Sequence, residues 1–388
     1  MRKLFLLLCS INLAWAQDIN TRETIAFAAK QAELQLRETR RLQDGNRVSP
    51  RTLDANGGLE LVPSRDWTSG FFPGILWQLY HFTGEAKWME AAREATGKLE
   101  KEQYNNRTHD MGFKMYCSYG KGFEYTADTA YRNVLIRSAQ TLITRFNPAV
   151  GCIRSWDHNR DKWGFPVIID NMMNLELLFA ATRLTGDSTF YKIAVAHANT
   201  TLKNHFRPDG STFHVVDYDP ETGEVKHRHT HQGYSHASTW ARGQAWALYG
   251  YTMCYRETGK EEYLQKALET AEWLRKHPRW PADGVPYWDF DAPDIPEAPR
   301  DASAAAVIAS ALYELDGFAP RSRKFRELAD HIVHSLATAY TAPAGTNAGF
   351  ILLHSTGHLP AKSEINVPIV YADYYFLEAI GREKVSNK

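Results

Sequence analysis

The feature that most constrains the fold is a repeated unit of two helices joined at a glycine. In four places an apolar-periodic helix is followed by a glycine, a short link and a second amphipathic stretch with alanines at helical spacing. Glycine readily adopts the left-handed conformation that commonly follows a helix, and apolar residues at i, i+3 and i+4 bury one helix face. The pattern predicts four helical hairpins, whose joining glycines are Gly84, Gly186, Gly259 and Gly317.

The remaining sequence is also mostly helical in pattern. Further helices are predicted at 21–43, 128–145, 240–255 and 301–315, with one short strand-like run at 211–218. The alternation of strand and helix that characterises parallel α/β folds is missing from this pattern. A stacked solenoid would repeat at a constant period, whereas these hairpins follow at unequal intervals. The sequence therefore predicts an all-α toroid of helical hairpins, whose long aromatic loops build one central site.

The first residues have the pattern of a targeting segment. Two basic residues precede an apolar run at 4–11, and a small-x-small motif ends at Ala16. This pattern is typical of a secretory signal peptide. We expect 1–16 to be removed, Gln17 to begin the mature chain, and 17–388 to form a single domain in the periplasm or outside the cell. No later run is apolar and long enough to suggest a membrane span.

Composition narrows the possible partners. Lys+Arg and Asp+Glu both number 45, so the chain lacks the excess positive charge with which proteins neutralise nucleic-acid phosphates. Aromatic residues form 12% of the chain, including 11 Trp, which allows stacking on sugar rings as well as core packing. Beyond the leader, Cys117, Cys152 and Cys254 are widely spaced, which favours buried thiols over a disulfide framework or a metal site.

Two aspartates stand in otherwise apolar or aromatic runs. Asp110 lies within 109–113, and Asp170 follows the apolar run 167–169. A buried carboxyl is costly unless it is paired, hydrogen-bonded or protonated, and such pairs of carboxyls suit acid/base chemistry on sugars. The structural alternatives are a helix N-cap for Asp170 and a local side-chain turn for Asp110.

Three other segments could form a binding site. In 233–246, Arg242 and Trp246 are four residues apart and share one helix face. This face either lines a binding site or carries a structural Arg–carboxylate pair. The loop 67–74 carries Trp67, a possible stacking platform, ahead of a helix with an early proline.

The third segment, 227–231, contains His227, His229 and His231. Alternating histidines could ligate zinc, but alternation also places them on one face of a strand without a metal. Neither Glu nor Cys is at hand to complete a zinc site, and Arg228 would repel a cation. We therefore do not expect a metal centre here.

Taken together, seven motifs resemble those of a known family. They occur in order along the chain, and their combination is far more specific than any one of them: 67–74, 109–113, 169–174, 231–234, 240–246, 300–305 and 371–379. They are similar to the motifs of the unsaturated glucuronyl hydrolases, glycoside hydrolase family 88. The resemblance implies an (α/α)6 barrel, no metal or other cofactor, and a lyase-generated oligosaccharide substrate with a 4,5-unsaturated uronic acid at its non-reducing end.

The resemblance also implies roles for individual residues. Asp170 matches the general acid/base and Asp110 the second essential carboxylate. Further positions match substrate contacts: Trp67, His109, His214, Gln232, Arg242, Trp246 and Tyr371. His236 departs from the family pattern, because relatives often carry an acidic or neutral residue there. An unsaturated rhamnogalacturonyl hydrolase acting on pectin fragments, and a non-catalytic carbohydrate-binding toroid, are the alternative functions.

Overall fold

A computed structural model describes residues 20–159, 161–319 and 323–386. The predicted signal peptide, 1–16, lies outside the described residues. The α-helices are α1 Thr21–Leu42, α2 Phe71–Thr83, α3 Ala86–Gly97, α4 Lys121–Thr126, α5 Thr129–Ile143, α6 Leu175–Thr185, α7 Ser188–Asn204, α8 Ala241–Thr258, α9 Glu261–Lys276, α10 Ala302–Phe318, α11 Lys324–Ala339 and α12 Val370–Ser386.

The other regular elements are short. Four 3-10 helices span Glu100–Tyr104, Ile169–Asn174, Asn347–Gly349 and Leu359–Ala361 of the described chain, and a π-helix spans Gly112–Gly120. The strands are β1 Ser49–Leu53, β2 Leu59–Val62, β3 Phe146–Asn147, β4 Cys152–Ile153, β5 Phe165–Ile168, β6 Val215–Tyr218 and β7 Val225–His229. The helices predicted from the sequence correspond to α1, α5, α8 and α10.

The helices form two concentric layers. In the inner layer, α2, the π-helix, α6, α8, α10 and α12 contact one another in that order, and α12 contacts α2 again, which closes the ring. On the outside, α3, α7, α9 and α11 each pack on the inner helix that precedes them in the chain, α5 packs on the π-helix, and α1 packs on α2. The predicted toroid is therefore confirmed as an (α/α)6 barrel.

Burial follows from this layering. The inner helix α10 is buried around most of its circumference, and it is rich in alanine, which allows its neighbours to approach closely. The outer helix α9 buries only Tyr263, Ala267, Thr270, Ala271 and Leu274. This spacing gives one apolar stripe on an otherwise solvated helix.

The predicted hairpin glycines are confirmed in three of the four cases. Gly84, Gly186 and Gly259 follow α2, α6 and α8 with φ angles of 70, 75 and 65°. The prediction for Gly317 is wrong, because α10 continues through it to Phe318. At that corner Arg323, with φ of 51°, has the left-handed conformation and leads into α11.

A small antiparallel sheet covers the region just before Asp170. The predicted strand at 211–218 is confirmed in its second half as β6, the central strand between β5 and β7. Val215 pairs with Ile168 of β5 and with His229 of β7. Because β5 ends at Ile168, the sheet fixes the point at which the chain enters the Asp170 turn.

Two other predictions concern the cysteines and the membrane. Cys117, Cys152 and Cys254 are buried free thiols, as predicted. Within the described part of the chain, no helix combines the length and the apolar character needed to cross a membrane.

Gly70, at the start of α2, allows an unusually close backbone contact. A Cβ at this position would overlap with the carbonyl oxygens of Phe113 and Lys114 in the π-helix. We expect Gly70→Ala to lower the free energy of unfolding by about 3 kcal/mol or more, because two backbone segments would have to separate. Urea unfolding measures this loss. The matched control is Gly97→Ala in α3, where an added Cβ meets nothing within 4 Å. Equal unfolding free energies for Gly70→Ala and Gly97→Ala would contradict the close backbone contact at Gly70.

Candidate active site

The inner helices begin at the same end of the barrel, and the predicted site residues lie at these beginnings. Asp110 and Asp170 precede the π-helix and α6, while Arg242 and Tyr371 are the second residues of α8 and α12. Trp67, just ahead of α2, lies with its ring centre 5.0 Å from that of Tyr371. Helix N-termini carry partial positive charge, so this end of the barrel favours an anionic substrate.

Asp170 lies in the first turn of the 3-10 helix that links β5 to α6. The N-cap position is taken by Ile168, so the alternative that Asp170 is the helix cap is wrong. Its side chain is buried, and burial raises the pKa of the carboxyl to about 7. The Arg242 guanidinium and the Trp246 indole lower this pKa, whereas the charge of Asp110 raises it. Asp170 is therefore poised to give and take a proton near neutral pH.

His214 faces Asp170, with 3.7 Å between His214 Nε2 and Asp170 Oδ2. The backbone N–H groups of His231 and Gln232 both donate to His214 Nδ1, at 3.1 and 3.2 Å. A neutral imidazole with an accepting Nδ1 carries its proton on Nε2. Burial lowers the pKa of His214 well below its usual value, so His214 presents a neutral N–H to the Asp170 carboxyl.

Thr108 and His109 are the neighbours of the Asp110 carboxyl. The Asp110 N–H donates to Thr108 Oγ1 at 3.1 Å, and this hydroxyl donates to Asp110 Oδ2 at 2.9 Å. The Thr108 side chain therefore closes the turn, and the alternative that the Asp110 carboxyl closes it is wrong. His109 Nε2 lies 3.2 Å from Asp110 Oδ1, and His109 Nδ1 donates to the Ser155 carbonyl at 2.8 Å. Ser155 Oγ in turn accepts the N–H of Ile168 at 3.0 Å. The His109 ring thereby lies between Asp110 and the end of β5, next to the second aspartate.

A second contact joins the two aspartate segments. The Phe113 N–H donates to Asn174 Oδ1 at 3.1 Å. Gly112 lies so close to Asn174 that a Cβ on Gly112 would come within 2.6 Å of the Asn174 Cα. The segment after Asp110 therefore packs directly on the helix that contains Asp170, and the two carboxyls face one central site.

Arg242 is buried at the floor of this site. Its Nη1 donates to Asp301 Oδ2 at 2.5 Å and to the Thr356 carbonyl at 2.8 Å, and its Nη2 donates to the Gly357 carbonyl at 2.6 Å. Its guanidinium carbon lies 5.4 Å from the ring centre of Tyr371. The structural Arg–carboxylate pair, one of the two interpretations of this motif, is therefore present, and Arg242 also acts electrostatically on Asp170.

The Arg242–Asp301 pair provides a stability prediction. We expect Arg242→Met to lower the free energy of unfolding by about 3–5 kcal/mol, because Asp301 would remain buried without its cation. Urea unfolding measures the loss. Adding Asp301→Asn should restore part of it, since the amide oxygen can still accept the Ser303 and Ala304 N–H groups that Asp301 caps. If the double variant lost as much unfolding free energy as the two single variants together, the two side chains would not stabilise each other.

The remaining predicted residues complete the same site. Gln232 Nε2 donates to the Gly357 carbonyl at 3.0 Å, the same oxygen that Arg242 contacts. The Phe113 ring lies 5.3 Å from Trp246 and 5.4 Å from Trp67. The structure thus brings together all of the predicted positions. Their roles in substrate binding and catalysis stay predictions.

Trp156 was missed by the sequence analysis. Its ring centre lies 6.1 Å from that of His214 and 5.1 Å from that of His231. The residue stands alone between Ser155 and Asp157, outside any periodic pattern, so only the fold shows its position.

The three alternating histidines do not share one strand, since β7 ends at His229. No group of His, Cys, Asp and Glu in the described ranges is arranged to hold a metal ion.

Comparison with known proteins decides the family. The model of Glycosyl Hydrolase Family 88 matches residues 39–358. The chain belongs to this family. It is 54% identical over 325 residues to the unsaturated glucuronyl hydrolase of Formosa agariphila, covering 83% of this chain and 81% of that protein. It is 33% identical to the enzyme of the same name from a Bacillus species, covering 86% of this chain and 90% of that protein.

The solved structures agree with the family 88 assignment. A crystal structure of an unsaturated glucuronyl hydrolase specific for heparin superposes with a TM-score of 0.89 at 44% identity, covering 94% of this chain and 98% of that one. The family 88 chain is therefore a glycoside hydrolase with an (α/α)6 barrel, as the sequence motifs predicted.

Proposed function

We propose that this enzyme releases a 4,5-unsaturated uronic acid from the non-reducing end of lyase-generated, glycosaminoglycan-type oligosaccharides. The observation that carries the proposal is the buried Asp170, whose pKa is raised to about 7 by burial, with a smaller contribution from the nearby charge of Asp110. Hydration of an enol ether needs an acid that is still protonated near neutral pH. The names of the relatives, unsaturated glucuronyl hydrolases, support this substrate class.

The chemistry assigns Asp170 two proton transfers. The protonated carboxyl first gives its proton to C4 of the unsaturated ring, and positive charge develops at C5 and the ring oxygen. Water then adds to C5, and the resulting Asp170 carboxylate takes the proton that the water loses. The hemiketal formed at C5 opens, and the bond to the rest of the oligosaccharide breaks. The reaction consumes the double bond and one water molecule. Its atoms and electrons balance without an oxidant or a metal.

Neighbouring groups support these steps. The neutral N–H of His214 lies 3.7 Å from Asp170 Oδ2, so its dipole stabilises the carboxylate form of Asp170 after the first transfer. Arg242, three donors of which are already engaged, supplies positive charge near the uronate carboxylate. Trp67 and Trp246 offer aromatic faces to the sugar ring.

An absorbance assay tests the proposed function. The enol ether absorbs in the ultraviolet, and hydration removes this absorbance. We expect loss of absorbance with unsaturated glucuronyl-hexosamine disaccharides and little or none with an unsaturated galacturonyl-rhamnose substrate. The opposite preference would favour the pectin-fragment alternative. Saccharide binding without any loss of absorbance would favour a non-catalytic toroid.

Export is part of the same proposal. The pattern at 1–16 supports cleavage before Gln17 and a periplasmic or extracellular location, where lyase products of large polysaccharides are formed. The intact mass of the protein recovered from cells distinguishes a mature chain that begins at Gln17 from an uncleaved one.

A further inference from the structure

Arg51, in β1, joins two loops at the end of the barrel that holds the site. Its Nε and Nη2 donate to the two carboxylate oxygens of Glu364 at 2.7 and 3.0 Å, and its Nη1 donates to Asp66 Oδ2 at 2.9 Å. All three residues lie outside the seven motifs that resemble the family, and the proposed mechanism uses none of them. Because they are far apart in the chain, their contacts fix how the two loops lie relative to each other.

The strand places Arg51 by means of a β-bulge. Pro50 pairs with Leu61 and Thr52 pairs with Glu60, so Arg51 is the extra residue of β1. Bulges of this kind re-aim a side chain, and they are common next to active sites.

Asp66 connects Arg51 to the loop that carries Trp67. The Asp66 Oδ1 atom accepts the Thr68 N–H at 2.9 Å and the Thr68 hydroxyl at 2.6 Å. These bonds close the turn around Trp67, while the other carboxylate oxygen is bound by Arg51. Arg51 thereby holds the turn from which the Trp67 ring reaches the site.

Glu364 connects Arg51 to the opposite loop, an antiparallel hairpin at 355–367 that we call the Gly357 hairpin. The Gly357 N–H donates to the Glu364 carbonyl at 2.7 Å, and a Cβ on Gly357 would overlap with the Glu364 carboxylate. The Gly357 carbonyl is the oxygen to which both Arg242 and Gln232 donate. The Arg51–Glu364 pair therefore holds the backbone that orients two predicted substrate contacts.

The backbone of this segment is strained. Glu364 has a φ of 53°, and His354, Lys362 and Asn366 have φ angles of 62, 55 and 56°. Side chains disfavour this left-handed region, and residues found there cluster at functional sites where their surroundings hold them. The pair with Arg51 is such a constraint, because it fixes the Glu364 side chain against another segment of the chain.

The environment of Arg51 favours a structural role over a direct contact with the substrate. Each of its three guanidinium nitrogens already donates to a carboxylate. The acids Glu364, Asp54 and Asp66 act together on the neighbouring Glu60, whose pKa is raised mainly by burial, and Arg51 opposes them. The side chain of Glu364 is only 9% exposed, so solvent screens the pair weakly.

We propose that Arg51 is a positioning residue for substrate binding, which holds the Gly357 hairpin and the Trp67 loop at the separation that the substrate requires. The inference rests on the proposed function and concerns the same site. Asp170 is held separately, at the end of β5, so loss of Arg51 weakens binding of the substrate and leaves the chemical step intact.

The proposal is tested with Arg51→Met, Glu364→Met and the double variant, on an unsulfated unsaturated glucuronyl-hexosamine disaccharide. We expect each single substitution to raise KM about five- to tenfold, with kcat within about twofold of the wild type. The double variant should have nearly the same KM as either single variant, because all three lose one shared contact. Arg51→Lys keeps the charge without the two-pronged contact, so its KM should lie between those of the wild type and Arg51→Met.

The Glu364→Met variant separates positioning from a direct charge effect. If Arg51 attracted the uronate itself, removal of the acid Glu364 would remove a repelling charge and leave KM unchanged or lower. Positioning predicts that KM rises whichever partner of the pair is removed. An unchanged or lower KM in Glu364→Met would therefore overturn the proposal.

Arg47→Gln is the matched control. Arg47 lies just before β1 and pairs with Asp44 at the surface, where 60% of its side chain is exposed. This variant loses one arginine charge from the same segment, and we expect wild-type KM and kcat. A rise in KM equal to that of Arg51→Met would assign the effect to net charge and overturn the proposal.

The ratio of the two kinetic effects separates positioning from loss of stability. A destabilised fold has fewer active molecules, so kcat falls while KM stays the same. That result in Arg51→Met would overturn the proposal, as would unchanged values of both constants. Failure of the proposed function differs from these outcomes, because the wild type would then turn over no unsaturated substrate.

A binding measurement completes the test without turnover. The same disaccharide is titrated calorimetrically into Asp170→Asn and into Asp170→Asn with Arg51→Met. We expect the dissociation constant to rise about five- to tenfold when Arg51 is replaced. Equal dissociation constants would overturn the role of Arg51.

Discussion

Asp170→Asn should lower kcat by about 10²- to 10⁴-fold, the range typical for loss of a general acid/base. The amide has nearly the shape of the carboxyl, but it can neither give an acidic proton to C4 nor accept one from water. Steady-state kinetics by loss of enol-ether absorbance measures the effect. Turnover within about tenfold of the wild-type rate would remove Asp170 from the mechanism.

Glu176→Gln is the control for this variant. Glu176 follows Asp170 by six residues and also has a carboxyl whose pKa is raised by burial, but it pairs with Arg256, two residues before the end of α8. We expect this variant to lose stability while each folded molecule keeps its activity. Equal losses of kcat in the two variants would indicate a general effect on the fold.

The stability of Asp170→Asn should also differ from that of the wild type in its pH dependence. The pKa of Asp170 rises from 3.8 to about 7 on folding. The folded state therefore binds this proton more tightly, and the stability it contributes is full below about pH 4 and is lost as the pH rises through 7. Chemical unfolding measures the free energy of unfolding at pH 5 and at pH 8. We expect this free energy to decrease less from pH 5 to pH 8 in Asp170→Asn than in the wild type.

Asp110→Asn should move the alkaline limb of the kcat/KM profile to lower pH. The charge of Asp110 raises the pKa of Asp170, so its removal leaves less of the protonated acid at a given alkaline pH. A shift of about one pH unit lowers the rate on that limb about tenfold, and loss of the Asp110 carboxylate beside the substrate lowers kcat further. Rates measured from pH 5 to pH 9 locate the limb.

Thr108→Val is the control for Asp110→Asn. It removes the hydroxyl that donates to Asp110 Oδ2 but keeps the carboxylate charge. We expect its alkaline limb to stay close to that of the wild type. An alkaline limb that remains in place in Asp110→Asn would show that the two aspartates do not interact electrostatically.

The helical barrel could be predicted because its signals are local. Gly84, Gly186 and Gly259 each end an inner helix, and the alanines after them fit helical spacing, so neighbouring residues alone indicate the hairpins. Gly317 shows the limit of this reasoning. It was expected to end α10, but the helix continues for one residue, and the left-handed conformation is found instead at Arg323, just before α11.

The site was predictable for a different reason. Each motif stands just before or at the start of an inner helix, so closure of the ring brings Asp110, Asp170, Arg242 and Tyr371 together. Ring closure itself depends on long-range packing between α12 and α2. The unequal hairpin spacing predicted a closed toroid, but the number of six hairpins came only from the resemblance to the family.

The features that were missed depend on tertiary contacts. Strand β7 contains mostly polar residues and forms only because β6 pairs with it, in keeping with the dependence of strands on their surroundings. The π-helix after Asp110 has no periodic signal, and Gly112 there is explained only by the contact with Asn174. The contacts of Trp156 with His214 and His231 join residues from separate loops, so they required the fold.

The most direct test is the pKa of the Asp170 carboxyl itself. Carbon-13 NMR of protein labelled at the aspartate carboxyl carbons, with Asp170→Asn to assign the signal, can follow its titration in the free enzyme. The account predicts a pKa near 7 in the wild type and a lower value in Asp110→Asn. A pKa close to 4 in both proteins would contradict it.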